Sequence, residues 1–455
     1  GLSVGGRSVP PLPVHRSEYD PAAMSAPPQL ARSLGLSHAT LLGLGSMVGT
    51  GVFVSIGIGA GLAGPSVVLA VGLAALVAAA NALSSAQLAA SIPVSGGTYE
   101  YAGRLISPAA GFTAGWMFLC AKAASAATAA LGFAGYVLGL AGSGDDGRLA
   151  VLIAVAAVAA LTAVSLAGIR RSAAANAAIV AVTLGALGLF IVVGGPVAMQ
   201  RAGVTLTPIL PARAGLGGFV EATALMFVAY TGYGRIATLG EEVREPRRTI
   251  PRAIIASIAL AAALYAAVAL VAVGTIGAPA LAEATRGAAA PLAAAAEQFG
   301  PSWLARAVAI GAITAMLGVL LNLILGLSRV LFAMGRRRDM PAVVSRVSRT
   351  TAAPSVAIAV VGVAVAALAL VGSVKTTWSF SAFTVLVYYA LTNASALRLP
   401  REQRLFHPAI PAAGLAACLS LAFFVEPRIW LTGLGVIAAG LIWRRAARRI
   451  AARGR

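Results

Sequence analysis

Twelve apolar runs follow one another from His38 almost to the end of this 455-residue chain. Each is about as long as, or longer than, the roughly 20 residues that a helix needs to cross the hydrocarbon of a bilayer. They lie at about 38–62, 66–91, 99–137, 149–168, 174–195 and 217–240, then at about 252–276, 304–334, 354–372, 378–397, 409–425 and 428–444. Only 11% of the residues are charged, 59% are hydrophobic, and the mean hydropathy is +0.90, whereas soluble domains carry about 25% charge. The pattern predicts an all-α integral membrane protein with twelve transmembrane helices. The third run is longer than one crossing needs, so its first part is expected at the interface.

The position of the charges says more than their sum of +20. With the N-terminus inside, the inner connections include "GIRRS", "EEVREPRRTIPR", "GRRRDMPAVVSRVSR", "LRLPREQRL" and the tail "WRRAARRIAARGR". The outer ones include "AGSGDDGR", "ATRGAAAPLAAAAEQFG", "GSVKTTW" and "EPR". That arrangement puts 24 Lys/Arg inside, 7 outside and 3 within runs, as the positive-inside rule requires. An even number of spans with both termini cytoplasmic follows, in a plasma membrane. The inner charges meet anionic lipid headgroups, and no nucleic-acid partner is expected.

Residues 1–37, rich in Pro, Gly and Ser, are expected to form a flexible cytoplasmic tail rather than a cleaved targeting segment; Met24 is an alternative start. Cys120 and Cys418 sit in separate apolar runs and read as small packing residues, not as a disulfide or metal pair.

Two runs are interrupted by poor helix formers. "GLGSMVGTGVF" (43–53) carries Gly43, Gly45, Gly49 and Gly51, and "FVAYTGYGRIATLGEE" (227–242) carries Gly232 and Gly234. Gly45 and Gly49 also form a GxxxG pair, which in isolation reads as a close-packing face. Paired interruptions in corresponding positions of two halves instead point to a transporter site at the bilayer midplane. Unpaired backbone at that depth is tolerated only where protein or a cavity surrounds it.

Four stretches now carry a family resemblance: "GLGSMVGTGVF", "PVSGGTYEYAGRLISPAAGFTAGW", "FVAYTGYGRIATLGEEVREPRRTIPRAI" and "SRVLFAMGRRRDMP". In order and spacing they resemble the amino acid–polyamine–organocation (APC) permeases, from about residue 35 to the C-terminus. The resemblance implies the leucine-transporter-like fold, a five-plus-five inverted repeat with discontinuous helices 1 and 6. Repeat one would occupy about 38–195, repeat two about 217–397, and accessory helices about 409–444, within a permease domain at 38–445 followed by a basic tail at 446–455.

A half-helix N-terminus suits a carboxylate, and a half-helix C-terminus offers carbonyls to an ammonium. Mapped through the family motif, the N–H groups of Gly49, Thr50 and Gly51 would hold the substrate carboxylate. The carbonyls of Met47, Val48, Val228, Ala229 and Thr231 would hold its amine, with Tyr230 and Gly232 completing the second break. These main-chain contacts recognise an amino acid without specifying its side chain.

Selectivity is expected from other groups. Relatives that carry cationic amino acids often have an acid in span three; here "GWMFLCAKAAS" puts Ala121 at about that place, with Lys122 beside it. An intramembrane lysine is a functional hypothesis by default, as a counter-ion or titratable coupling group. The alternative is a structural lysine that snorkels or pairs with a carbonyl. Proton-coupled relatives can carry a lysine in span five, where this chain places Thr183. Coupling to H+ or Na+, as a symporter, and exchange, as an antiporter, therefore stay open; no other cofactor is required. Glu221 is a second titratable candidate, at the interface.

Tyr230 and Tyr233 either gate the cavity or pack. Arg235 either weighs against cationic substrates or pairs with Glu241 or Glu242 at an inner gate. The loop around Pro246 and Pro251 reads as a structural or gating element in which Glu241, Glu242 and Glu245 face Arg244, Arg247 and Arg248.

Enzyme chemistry has little to work with: three histidines near tails or loops, no HExxH and no GxxxxGK[ST] loop, hence no catalytic or metal residues. The expectation is a secondary-active carrier of neutral, then small anionic, amino acids, as a monomer or weak homo-oligomer. An amine or polyamine carrier, and an amino acid sensor that does not transport, are the alternatives.

Overall fold

The computed structural model describes residues 35–92, 96–143, 146–168, 173–211, 215–237, 243, 245–287, 289–348, 351 and 353–453. The regular elements among them are helices. In order these are α1 (Leu36–Met47), α2 (Ile56–Ala63), α3 (Val67–Ser91), α4 (Thr98–Leu105), α5 (Pro108–Ala141), α6 (Gly147–Leu166), α7 (Ala173–Thr205) and α8 (Leu216–Tyr230). The second half holds α9 (Gly234–Ala237), α10 (Pro246–Arg286), α11 (Pro291–Phe299), α12 (Ser302–Arg336), α13 (Ser355–Ala369), α14 (Val374–Leu397), α15 (Ala409–Phe424) and α16 (Pro427–Arg453).

Helix lies on every one of the twelve apolar runs. By length and composition, eight helical segments among the described residues are able to cross a membrane: Gly51–Ser91, Pro108–Ala141, Gly147–Leu166, Ala175–Thr205, Arg248–Arg286, Ser302–Arg336, Val374–Leu397 and Pro427–Ala447. The difference from twelve has physical causes. A short turn at Gly64–Ser66 joins α2 to α3, so two runs form one stretch. Helices α1 and α8 each stop at an interruption, and α13 and α15 are apolar but shorter.

Local chemistry sets the helix ends. The third run divides where Ser107 caps α5, its hydroxyl accepting from Ala110 N, with Pro108 at the first position. That leaves α4 as a separate eight-residue helix. Asp146 caps α6 by accepting from Arg148 N and Leu149 N, and Ser373 caps α14 by accepting from Thr376 N. Each is a side-chain acceptor for otherwise orphaned N–H groups. Helix α10 starts six residues before its apolar run, with Pro246 in its first turn, and runs on through Pro251. It leaves helical geometry at Gly277 (φ 80°, ψ 157°), a conformation that favours glycine.

The helices pack in two matching sets. α10 lies against α1 and α2, as α3 lies against α8; α5 packs on α6, as α12 packs on α13. α5 packs on α14, as α12 packs on α7; α13 lies on α5, as α6 lies on α12. Even the short helices match: α4 packs on α5 and α11 on α12.

One end of the bundle is tied by charge. Glu100 of α4, 4% exposed, pairs with Arg337 after α12 and, at 3.5 Å, with Arg104. Tyr99 donates to Asp339 at 2.6 Å, and Asp339 pairs with Arg444 of α16 at 3.6 Å. Burial and the Asp339 carboxylate push the Tyr99 phenol above its ordinary value. α16 continues helically to Arg453, through most of the expected basic tail. The expected tail at 1–34, most of "GIRRS", and Glu241, Glu242 and Arg244 lie outside the described residues.

Candidate functional site

The first interruption is a break followed by a wide turn. α1 ends at Met47, Val48 is extended (φ −73°, ψ 110°), and helical geometry resumes at Thr50. Gly51–Ser55 is a π-helical turn, wider than an α-helix, before α2 begins. The N–H groups of Gly49, Thr50 and Gly51 thus open a new helix with no helical turn before them to receive them. The hydroxyl of Thr50, a residue 4% exposed, has no hydrogen-bond partner among the described residues.

The second interruption is a tighter turn. α8 ends at Tyr230, Thr231–Tyr233 forms a 3-10 turn, and α9 follows. The two breaks meet backbone to backbone. A Cβ added to Gly232 would lie 2.7 Å from Met47 N and closer still to the Ser46 carbonyl. A Cβ added to Gly51 would lie 2.8 Å from the Ala229 Cα. The sequence-predicted residues 47–51 and 228–232 are therefore brought together.

Aromatic donors, which the sequence reading did not single out, reach into this junction. Tyr265 of α10 is fully buried, and its hydroxyl donates to the Met47 carbonyl at 2.7 Å and the Ala229 carbonyl at 3.3 Å. Tyr136 of α5 donates to Phe53 O at 2.8 Å, and Trp378 of α14 to Leu225 O at 3.0 Å. Tyr389 of α14 reaches Thr231 O at 3.5 Å. The available signal was chemical: a tyrosine or tryptophan buried in an apolar span needs a partner for its polar end.

Four of the carbonyls expected for an amine therefore already accept a protein donor, the Val228 carbonyl from the Thr231 hydroxyl at 2.8 Å. A carbonyl has two lone pairs; the Val228 and Thr231 carbonyls also accept the N–H groups of Thr231 and Gly234, so an amine there has to displace a donor. Tyr230 turns to α3, donating to Val71 O at 3.2 Å, and its ring lies 5.1 Å from that of Tyr265. Tyr233 is buried with its ring 5.6 Å from that of Tyr389.

Lys122 reaches the junction from α5. Its Nζ donates to Thr231 Oγ1 at 2.8 Å, and no carboxylate among the described residues lies within 4.0 Å of it. Thr183 lines a small cavity beside the first break with Gly45, Val48, Ala315, Gly318 and Val319, and its hydroxyl donates to Ile179 O at 2.7 Å. Arg235 on α9 is exposed, and its expected partners Glu241 and Glu242 are outside the described residues. Of the loop's expected ion pairs, Glu245–Arg248 is present at 3.8 Å, with both side chains exposed. Such a pair contributes about 0–1 kcal/mol.

Comparison with known proteins agrees with this geometry. The model of the amino acid permease family matches residues 38–442. An uncharacterized transporter of Mycobacterium tuberculosis is 42% identical over 421 residues, 91% of each chain. The branched-chain amino acid permease BcaP of Bacillus subtilis is 29% identical over 446 residues, 93% of this chain and 92% of its own. A vacuolar cationic amino acid transporter of Arabidopsis thaliana is 27% identical over 415 residues, 86% of this chain and 64% of its own. With helix on every apolar run, two interrupted helices in contact and a family match across nearly its whole length, the chain belongs to the amino acid permease family, whose members are membrane transporters and not enzymes.

Proposed function

We propose that this protein is a secondary-active carrier that moves amino acids with neutral or anionic side chains by alternating access. The observation that carries the reading is the junction of the two breaks, with Gly51 against Ala229 and Gly232 against Ser46 and Met47. N–H groups of one new helix and carbonyls of two ended helices lie in one place there, which suits the carboxylate and amine of a single amino acid. The N–H groups of Gly49, Thr50 and Gly51 take the carboxylate. The carbonyls of Met47, Val48, Val228, Ala229 and Thr231 take the amine, joining or displacing the donors already on them, Tyr265 on Met47 and Ala229, the Thr231 hydroxyl on Val228 and Tyr389 on Thr231.

The architecture that goes with this is twelve spans in a five-plus-five inverted repeat, with α15 and α16 accessory. The matching pairs of packed helices support it, because the contacts named above between the first ten spans each have a counterpart five spans away. An odd number of spans per repeat turns the second over relative to the first. The α4, α12–α13 and α16 ends, tied through Arg337 and Arg444, form the cytoplasmic face in this reading, in keeping with the basic inner connections. The plasma membrane is the proposed location.

For coupling, H+, Na+ and exchange stay alternatives: the Thr183 hydroxyl is the one side-chain oxygen among the residues lining its cavity, and backbone carbonyls also serve a hard cation as ligands.

Uptake of a panel of labelled amino acids into proteoliposomes, with proton or sodium gradients imposed in turn, tests the reading. Saturable uptake of at least one amino acid is expected. Binding without flux would mark a sensor, and preference for a diamine would mark an amine carrier.

A further inference from the structure

We propose that the preferred substrate is an amino acid with an anionic side chain, of the glutamate or aspartate class, whose distal carboxylate meets Lys122 Nζ. This rests on the amino acid transport reading above and narrows it.

The chain contains two lysines, Lys122 and Lys375, and Lys122 alone lies in the middle of a membrane-crossing helix. Its nitrogen donates to the hydroxyl of Thr231, the first residue of the break after α8. That hydroxyl is neutral and in turn donates to the Val228 carbonyl, so it supplies no counter-charge. The phenols of Tyr233 and Tyr389 stand near the same turn, and they too are neutral.

Among the described residues no carboxylate lies within 4.0 Å of Lys122. Of its 14 acidic residues, none lies in 36–91, 108–141, 302–336 or 374–397, the segments that form α1–α3, α5, α12 and α14. Glu221 is on α8, but ten residues before Thr231, about 15 Å along a helix. Glu100 is held by Arg104 and Arg337, and Asp339 by Tyr99 and Arg444. An ammonium in low dielectric needs a paired anion; here the anion arrives with the substrate.

Gly232 touches the Ser46–Met47 backbone, so the residue bonded to Lys122 directly precedes the point where α8's break meets α1. A substrate whose α-carboxylate lies on the N–H groups of Gly49–Gly51 can extend its second carboxylate to Lys122. The unpartnered Thr50 hydroxyl adds one donor to the first carboxylate. Glutamine and asparagine, of similar size, leave Lys122 uncompensated. Lysine and arginine are repelled.

Initial uptake of labelled L-glutamate, L-aspartate, L-glutamine and L-leucine, measured with the full-length protein in proteoliposomes, tests this. For the wild type, kcat/KM is expected to be at least tenfold higher for one of the acidic amino acids than for glutamine or leucine. Lys122→Met should lower the ratio of kcat/KM for the acidic substrate to that for glutamine more than tenfold, and Lys122→Arg should retain part of the acidic preference. Wild-type uptake of glutamine or leucine equal to that of glutamate and aspartate would overturn the proposal while leaving amino acid transport intact. So would an acidic preference that survives in Lys122→Met. If the wild type moves no amino acid, the underlying reading fails as well. The wild-type panel decides even where a variant does not reach the membrane.

Discussion

Tyr265 holds Met47: its hydroxyl donates to the Met47 carbonyl at 2.7 Å and, at 3.3 Å, to that of Ala229. One side chain on α10 thus spans the ends of both interrupted helices. Tyr265→Phe keeps the ring against Tyr230 but leaves buried carbonyls short of a donor, at about 1–3 kcal/mol. Since ~1.4 kcal/mol is tenfold in rate, uptake kinetics should show kcat/KM reduced about tenfold, with normal membrane insertion. Unchanged kinetics would remove Tyr265 from the site.

Gly232→Ala should abolish most uptake. Its Cβ would meet the Ser46 and Met47 backbone, which has no flexible end to move aside. Gly185→Ala on α7 is the control, because no atom lies within 4 Å of a Cβ built there. Alanine at that position should leave transport unchanged and stabilise the helix by up to about 1 kcal/mol. Equal activity in the two variants would mean that the breaks tolerate separation.

Much of this was legible in the sequence because membrane helices declare themselves by length and composition. The two glycine-bearing breaks were also legible, since local propensity alone marks Gly49, Gly51 and Gly232. What the sequence did not disclose was tertiary. Tyr265 lies 218 positions from Met47, and nothing near it in sequence says which carbonyl it caps. Lys122 could be identified as out of place, but its bond to Thr231, 109 positions away, depends on how α5 packs. The π-helical turn after Thr50 leaves no mark in the sequence, because its Val, Phe and Ser fit an ordinary helix equally well. The separate α4 was foreshadowed only by the excess length of the third run.

Sodium replacement separates the couplings. Thr183 is the lone side-chain oxygen among the residues lining its cavity, so sodium bound there with backbone carbonyls predicts that uptake falls more than tenfold in a large organic cation and that Thr183→Ala weakens this sodium dependence. Uptake indifferent to sodium, with Thr183→Ala changing the rate less than about threefold, would remove sodium coupling from this cavity.

At the charged end of the bundle, alkaline stability should depend on Tyr99. Burial and the neighbouring Asp339 carboxylate raise its folded pKa above the ordinary tyrosine value of about 10. The folded state therefore holds this proton more tightly than the unfolded state, and the stability it confers is lost as pH rises above about 10. Purified protein should show a Tm that falls more steeply between about pH 9 and 11 than that of Tyr99→Phe. Parallel slopes would show that the Tyr99–Asp339 bond makes no such contribution.

The central claim, that the junction of the two breaks serves a carrier alternating between the two faces, is tested most directly by counterflow. Proteoliposomes loaded with an unlabelled substrate amino acid are diluted into a trace of the labelled form, with no ion gradient. A carrier of the proposed kind gives a transient accumulation of label above equilibrium, which Gly232→Ala should lose. Label that rises only to equilibrium, or does not enter at all, would contradict the account.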